Sequence, residues 1–167
     1  LKIEFLSSPF DILSAEMLIK KVGVKKIKIP SGEITNAPFL LYLAKVNLPI
    51  LLSTGMSTLS EIKQALAILA PRGAVQKKVT LLHCVTEYPA PYGELNLKAM
   101  DVMRKTFRLP VGFSDHSLGT AAAVAAVARG AVVIEKHITL DRNMPGPDHK
   151  ASLEPGEFKQ MVEAIRI

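Results

Sequence analysis

Two histidines follow hydrophobic runs that have the composition of buried strands, and their placement predicts a shared metal site. His116 ends the run that begins at Pro110, and His137 ends the run that begins at Ala131. Active-site residues of α/β proteins lie at the carboxyl ends of parallel strands. Two imidazoles on neighbouring strand ends could bind one metal ion, whereas the alternative is two separately hydrogen-bonded histidines. The polar residues beside each histidine favour the shared metal.

The neighbours of the histidines indicate which metal and which chemistry to expect. Ser114 and His116 share one strand face, as do Glu135 and His137, because side chains alternate along a strand. Neutral imidazole suits manganese, iron, cobalt or zinc, and oxygen-rich surroundings favour manganese or magnesium-like coordination. Two protein ligands leave coordination positions open for water and substrate, as Lewis-acid catalysis requires.

A loop rich in proline and glycine follows the second histidine. It covers residues 141–149 and contains Asp148. The carboxylate of Asp148 could contact a ligand, or the residue could serve only to form the turn, and the pattern alone favours neither.

An earlier strand carries residues that predict an anion site. Lys28 lies between Ile27 and Ile29, so its side chain occupies the opposite strand face. A buried lysine needs a counter-charge, which a phosphate would supply, whereas the alternative is a side chain that extends from the strand end into solvent. Ser31 would then offer its hydroxyl to phosphate oxygens, and Glu33 could bind a sugar hydroxyl.

Two more strand ends carry polar side chains. Ser53 ends a hydrophobic run and predicts either a second contact with phosphate or an ordinary strand-to-helix turn. The stretch 83–92 carries Thr86 and Tyr88 and contains two prolines, which restrict the residues that precede them. Rigid polar loops above a strand end are suited to holding a ligand.

Hydrophobic runs alternate with helix-like segments, which predicts βα units and a parallel sheet. A doubly wound sheet is one fold that fits this pattern, and a (β/α)₈ TIM barrel is the more specific prediction. A complete barrel needs eight units and about 250 residues, so this chain would contain about six of the units. The predicted strands are Ile3–Leu6, Lys26–Ile29, Ile50–Ser53, Val79–His83, Val111–Ser114 and Val132–Lys136. The predicted helices are Asp11–Lys21, Ala37–Lys45, Leu59–Ala70, Asn96–Lys105, Leu118–Arg129 and Pro155–Ile167.

The composition is that of a globular protein and narrows the classes of function. No apolar stretch approaches the roughly 20 residues that cross a bilayer, and no signal peptide is recognisable, so we expect no membrane partner. The single cysteine, Cys84, excludes an internal disulfide, fits a reducing cytoplasm and is expected to pack in the core. The net charge of +6 suits an anionic ligand. An aromatic content of 5% without tryptophan disfavours nucleic acid.

These segments together resemble the sialic acid (N-acetylneuraminate) synthase family. The resemblance covers nearly the whole chain, and its last stretch is the longest and most specific. The matching segments are Lys28–Asn36, Leu52–Met56, His83–Pro91, Gly112–Gly119 and Glu135–Ser152.

The resemblance implies a transferase that condenses phosphoenolpyruvate with an N-acetylated amino sugar, typically N-acetylmannosamine, and releases phosphate. It implies a divalent metal on His116 and His137, with Mn²⁺ preferred over Mg²⁺ or Co²⁺. The catalytic set that it implies is His116, His137, Glu33 and Asp148. The substrate-binding set that it implies is Lys28, Ser31, Ser53, Ser114, Thr86 and Tyr88, although some family members carry asparagine in place of Thr86.

Within this family, residues 1–167 correspond to units three to eight of a single barrel domain. We expect the first two units, which carry an active-site glutamate, and a C-terminal antifreeze-like domain to lie outside the chain. The 167 residues alone are therefore expected to be inactive, and the full-length protein is expected to be a homodimer. The alternatives are a legionaminate or pseudaminate synthase, or a catalytically dead fragment that retains metal and anion binding.

Overall fold

The computed structural model describes residues 4–70 and 78–167, in which strands and helices alternate. The strands are β1 (Ile27–Ile29), β2 (Ile50–Ser53), β3 (Val79–Cys84), β4 (Val111–Asp115) and β5 (Ile134–Lys136). The helices are α1 (Ile12–Met17), α2 (Ala37–Ala44), α3 (Leu59–Leu69), α4 (Ala99–Phe107), α5 (Ala121–Ala128) and α6 (Pro155–Ala164). Single helical turns at Ser31–Glu33, Tyr92–Glu94 and His149–Ala151 follow strand ends.

The strands form a five-stranded sheet whose spatial order, β1-β2-β3-β4-β5, is their order in the chain. The pair β1–β2 and the pair β4–β5 are both parallel. A doubly wound sheet reverses its strand order at a switch point, whereas successive barrel units add strands in sequence. The sequential order therefore confirms the predicted α/β barrel class.

The first predicted strand is not observed in the part that the structure describes. Residue 3 lies outside the described residues, and residues 4–6 belong to no strand. The side chain of Phe5 is 60% exposed, so no sheet face buries it. Glu4 forms an ion pair with Lys26, at 2.7 Å.

Three helices begin where the sequence predicted, at Ala37, Leu59 and Pro155. In the first two, side chains satisfy the first backbone amides. Thr58 and Glu61 form a capping box at the start of α3, in which each side chain accepts a hydrogen bond from the other residue's backbone N–H. The Asn36 side chain accepts from the Phe39 N–H at 3.2 Å at the start of α2. Local chemistry therefore fixes these helix starts.

Two other helices begin three residues later than predicted. Asn96 has a φ of 41°, and Gly119 has a φ of 62°, so both adopt a left-handed conformation that a helix cannot include. The helix α4 therefore starts at Ala99 and α5 at Ala121. The sequence did not show these backbone turns.

The chain contacts define two compact units. The first consists of Leu1–Leu81 with Phe107–Pro110, and the second of Leu82–Thr106 with Val111–Ile167. Large side chains with at most 2% exposure form the core of the first unit: Ile27, Ile29, Phe39, Leu40, Leu43, Ile50, Leu52, Ile62, Leu69 and Leu81. In the second unit, Ala123, Leu153 and Met161 form a buried cluster against which Ile134 and Phe158 pack. Cys84 is buried, as expected.

Close packing in the second compact unit requires a glycine in β4. A Cβ atom on Gly112 would lie 2.6 Å from the Val133 carbonyl oxygen and 2.8 Å from a Leu82 methyl carbon. The absent side chain at Gly112 therefore allows the neighbouring backbone to approach β4.

Across residues 4–70 and 78–167, the helices are all too short or too polar to cross a membrane.

Candidate functional site

The carboxyl ends of β4 and β5 bring together four polar side chains of the second compact unit. Ser114 lies opposite Glu135 in the parallel register, and its hydroxyl donates to the Glu135 carboxylate at 2.7 Å. The His116 and His137 rings lie 5.5 Å apart, centroid to centroid, with an interplanar angle of 83°. The structure therefore brings the two imidazole rings together at adjacent strand ends.

The orientation and tautomer of His116 are set by the backbone. Its side chain is buried, and its Nδ1 lies 2.6 Å from the Val85 carbonyl oxygen. A carbonyl can only accept, so Nδ1 carries the hydrogen and Nε2 presents a lone pair in the neutral ring. Nε2 lies 3.3 Å from the Ser114 hydroxyl oxygen. Metal-binding histidines are commonly held in this way, with the other ring nitrogen bonded to a carbonyl.

Tyr88 contacts both histidine rings. Its ring stacks on His116 at 4.1 Å and meets the edge of His137 at 5.5 Å, centroid to centroid. Burial raises the pKa of Tyr88, and the neighbouring Cys84, Asp148 and Glu135 raise it further. The phenol therefore stays protonated at neutral pH and can donate a hydrogen bond to a ligand. Thr86, in the same loop, is half-buried.

Asp148 lies beside His137 in a loop that is tied to α6. The Asp148 carboxylate is 3.8 Å from His137 Nδ1, and its side chain is 58% exposed. Arg142 forms an ion pair with Glu157 and donates through Nε to the Ser152 carbonyl at 3.0 Å. The Ser152 hydroxyl donates to the Asp148 carbonyl at 2.8 Å. The loop therefore holds an accessible carboxylate next to the histidine pair.

The donor set at β4 and β5 fits a divalent metal with two protein ligands. Among the described residues, no three or more histidine, cysteine, aspartate or glutamate side chains converge as a metal centre. His116 and His137 would hold the metal, and water and substrate would complete its coordination. The metal remains a prediction.

The polar residues predicted after β1 and β2 lie in the first compact unit. Lys28 is half-buried between the buried Ile27 and Ile29, as the strand alternation predicted. The Ser31 hydroxyl accepts from the Gly55 N–H at 2.9 Å, which links the turn after β1 to the turn after β2.

The Glu33 carboxylate has a hydrogen-bond partner, whereas the Ser53 hydroxyl has none among the described residues. Glu33 is half-buried and accepts from the Asn36 side-chain amide at 2.6 Å. The Ser53 hydroxyl is buried and finds no hydrogen-bond partner among the described residues. A buried hydroxyl left in this state costs about 1–3 kcal/mol. Such a cost is explained if the hydroxyl serves a ligand.

A buried ion pair that the sequence did not predict lies behind the histidines. Asp115 and Lys136 pair at 2.8 Å, and both side chains are fully buried. Asp115 also accepts from the Ser117 N–H at 2.9 Å and from its hydroxyl at 2.6 Å, and Lys136 donates to the Ser117 carbonyl. The available signal was the occurrence of opposite charges within two buried strands, where each charge needs a partner.

Comparison with known proteins gives a consistent group of relatives. The model of the NeuB family matches residues 1–167. The chain is 57% identical over 164 residues to the N,N'-diacetyllegionaminic acid synthase of Campylobacter jejuni. This aligned region covers 98% of the chain and 49% of that protein. It is 38% identical over 166 residues to the human N-acetylneuraminate-9-phosphate synthase, covering 99% of the chain and 45% of that protein.

A solved structure shows the same similarity. The crystal structure of the N-acetylneuraminic acid synthetase from Leptospira borgpetersenii in complex with citrate superposes with a TM-score of 0.91 at 38% identity. The match covers 98% of this chain and 56% of that one. The chain thus spans about half the length of the curated relatives that it matches.

Proposed function

The chain belongs to the NeuB family, and we propose that it supplies the metal-binding residues and phosphate-binding residues of a nonulosonic acid synthase. The full-length enzyme would condense phosphoenolpyruvate with an N-acetylated amino sugar and release phosphate. The names of the relatives support the enzyme class, because they include synthases of N,N'-diacetyllegionaminic acid and of N-acetylneuraminate 9-phosphate. The observation that carries the proposal is the His116–Tyr88–His137 arrangement at adjacent strand ends.

The second compact unit would bind and orient the amino sugar. When bound to His116 and His137, a divalent metal, Mn²⁺ in preference to Mg²⁺ or Co²⁺, would supply Lewis-acid polarisation of the sugar aldehyde. Asp148 accepts hydrogen bonds from sugar hydroxyls, and Tyr88 packs beside the substrate and donates its phenolic hydrogen. The 58% exposure of Asp148 leaves its carboxylate open to a ligand.

The first compact unit would bind the phosphate of phosphoenolpyruvate. Lys28 supplies the positive charge, and Ser31 and Ser53 supply hydroxyl groups. The buried Ser53 hydroxyl supports this role, because a phosphate oxygen would satisfy it. Glu33 accepts from a sugar hydroxyl.

Ser114 belongs to the same predicted substrate-binding set, although it lies in the second compact unit. Its hydroxyl hydrogen is engaged by Glu135 at 2.7 Å. Ser114 can donate to phosphoenolpyruvate only if this hydrogen bond breaks, so substrate binding would separate the Ser114 hydroxyl from Glu135.

The reaction balances without an external oxidant or reductant. The enol carbon of phosphoenolpyruvate attacks the sugar aldehyde carbon, a C–C bond forms as the C=O π bond breaks, and the aldehyde oxygen takes up a proton to become a hydroxyl. Positive charge develops at the carbon that bears the phosphate, and water adds there and loses a proton. Phosphate leaves as its C–O bond breaks, and loss of the second water proton leaves the keto group. Charges that develop in this way are stabilised best by groups held in place before reaction.

Two acceptor sugars are candidates. The sequence resemblance favours N-acetylmannosamine. The 57% identity to an N,N'-diacetyllegionaminic acid synthase, against 38% to the human enzyme, favours a sugar that carries two N-acetyl groups. Pseudaminate synthesis is a third outcome that the assay distinguishes, because a relative at 38% identity carries that name.

The test is phosphate release from phosphoenolpyruvate by the full-length protein with Mn²⁺ and each acceptor sugar in turn. We expect release with one acceptor and none without a sugar or after metal removal. Release that is independent of any amino sugar would contradict the proposal. The isolated 167 residues are expected to show no turnover, and the cytoplasmic location and the homodimer stay predictions.

A further inference from the structure

We propose that the buried ion pair between Asp115 and Lys136 positions His116 and His137 and thereby sets the geometry of the metal site. This inference rests on the proposed function, since it concerns the same pair of histidines. The two residues would act only through the histidines, as a positioning pair behind the site.

Three residues, Asp115, Ser117 and Lys136, form what we call the buried polar cluster. It fixes the chain on both sides of His116. Asp115 precedes His116, and its carboxylate accepts hydrogen bonds from the Ser117 backbone N–H at 2.9 Å and from the Ser117 hydroxyl at 2.6 Å. Lys136 donates to the Ser117 carbonyl. Since His137 directly follows Lys136, the cluster is adjacent in the chain to both histidines.

The register of the strands makes this link direct. Asp115 is the Cα partner of Lys136 in the β4–β5 ladder, and Ser114 is the partner of Glu135. A hydrogen bond of 2.7 Å joins Ser114 to Glu135 on one face, and an ion pair of 2.8 Å joins Asp115 to Lys136 on the other. The two strand ends are therefore tied on both faces immediately before the histidines.

A purely stabilising role explains the ion pair less well than a positioning role. Both side chains have 0% exposure, so each charge has lost its hydration. Replacing a buried ion pair by apolar groups of similar volume is often neutral or stabilising. A directional contact, by contrast, fixes one arrangement of the strands, which a pair of metal ligands requires.

The experiment uses the Asp115→Asn/Lys136→Met double variant of the full-length protein. Asn keeps an acceptor for Ser117, and Met keeps much of the lysine volume, so both charges are removed together. The matched control is the Lys159→Met/Glu163→Gln double variant, which removes a pair whose side chains are 77% and 65% exposed. We measure the Mn²⁺ dissociation constant, thermal unfolding, and the His116–His137 ring separation in metal-free crystals.

We expect the double variant to fold, to unfold at a somewhat lower temperature because the buried Ser117 carbonyl loses the Lys136 donor, and to bind Mn²⁺ about 10-fold or more weakly. Its histidine ring separation should depart from the 5.5 Å of the unaltered chain. Its kcat should fall, while its KM for phosphoenolpyruvate should change less, since Lys28, Ser31 and Ser53 lie in the first compact unit. The control should match the unaltered protein throughout.

Unchanged Mn²⁺ affinity and unchanged ring separation would overturn the positioning role and leave the proposed function intact. Failure of the unaltered protein to bind Mn²⁺ would instead overturn the metal site, and the ring separation alone would then decide the positioning role. If the double variant does not fold, Ser117→Ala decides it, because this change removes only the hydroxyl contact of the cluster. Weaker Mn²⁺ binding by Ser117→Ala, or a changed ring separation, supports the role, and no change in either refutes it.

Discussion

The strand ends of β4 and β5 and those of β1 and β2 differ in how their polar groups are used within the protein. At β4 and β5, Ser114 bonds Glu135, and a carbonyl holds the ring of His116. After β2, the buried Ser53 hydroxyl finds no partner among the described residues. Metal ligands must be held in place by other groups, whereas an anion needs donors that the fold has not satisfied. The difference supports the proposal that a metal binds at the ends of β4 and β5 and an anion at the ends of β1 and β2.

Removal of a histidine should have the largest effect. His116→Ala is expected to weaken Mn²⁺ binding by more than about 100-fold, since even changes behind a metal ligand cost 10–100-fold. Titration calorimetry with Mn²⁺ measures this effect. The control is His83→Gln, which replaces a histidine that bonds the Leu95 carbonyl and keeps a donor there. An equal loss of Mn²⁺ affinity in both variants would contradict the assignment of His116 as a metal ligand.

Removal of the lysine on β1 should affect the anion alone. Lys28→Ala is expected to raise the dissociation constant for phosphoenolpyruvate by about 10-fold or more, because hydrogen bonds to charged groups contribute about 1.5–3 kcal/mol. The matched control is Lys26→Ala, which removes an exposed lysine paired with Glu4. A titration that gives the same affinity for Lys28→Ala and the unaltered protein would refute the phosphate role.

The same substitution at two serines should have different effects on the free energy of unfolding. Ser53→Ala removes an unsatisfied buried hydroxyl, so the free energy of unfolding should stay the same or rise. Ser114→Ala removes a hydrogen bond to Glu135 and should lower the free energy of unfolding by about 1 kcal/mol. Urea denaturation compares the two. Equal destabilisation by both changes would remove the contrast between the strand ends.

The smallest expected effect is a dependence of stability on pH that arises from the burial of His83 and not from metal binding. Burial lowers the pKa of His83, and the hydrogen bond to Leu95 opposes this only in part. The unfolded chain therefore binds a proton more readily, so stability is complete above a pH of about 6.5 and falls as the pH drops below it. Urea denaturation across this range should show a smaller decline for His83→Gln, with or without Mn²⁺. An identical decline in both proteins would contradict this role for His83.

The sequence predicted the features that depend on local pattern. Strand alternation placed Lys28 opposite its isoleucine neighbours, and the Thr58 capping box located the start of α3. The carboxyl-end rule placed the two histidines together, and their rings lie 5.5 Å apart. Strand order, side-chain periodicity and helix-capping chemistry suffice for these predictions.

Other features depend on contacts that a single sequence does not reveal. Pairing of Asp115 with Lys136 requires the register of β4 against β5, which the strand sequences do not specify. Engagement of Ser114 by Glu135 depends on the same register. The sequence predicted that α4 starts at Asn96, because asparagine is a common helix N-cap. Asn96 instead adopts a left-handed conformation, which asparagine also tolerates, and α4 starts at Ala99.

The most direct test of the account is the position of a metal in crystals of the full-length protein grown with Mn²⁺. Anomalous diffraction at the manganese edge locates the ion independently of any assumed ligands. We predict one peak bonded to an imidazole nitrogen of His116 and to one of His137, each at about 2.0–2.3 Å. A manganese peak bonded to neither histidine, or to only one of them, would contradict the central claim that the ends of β4 and β5 form a metal site.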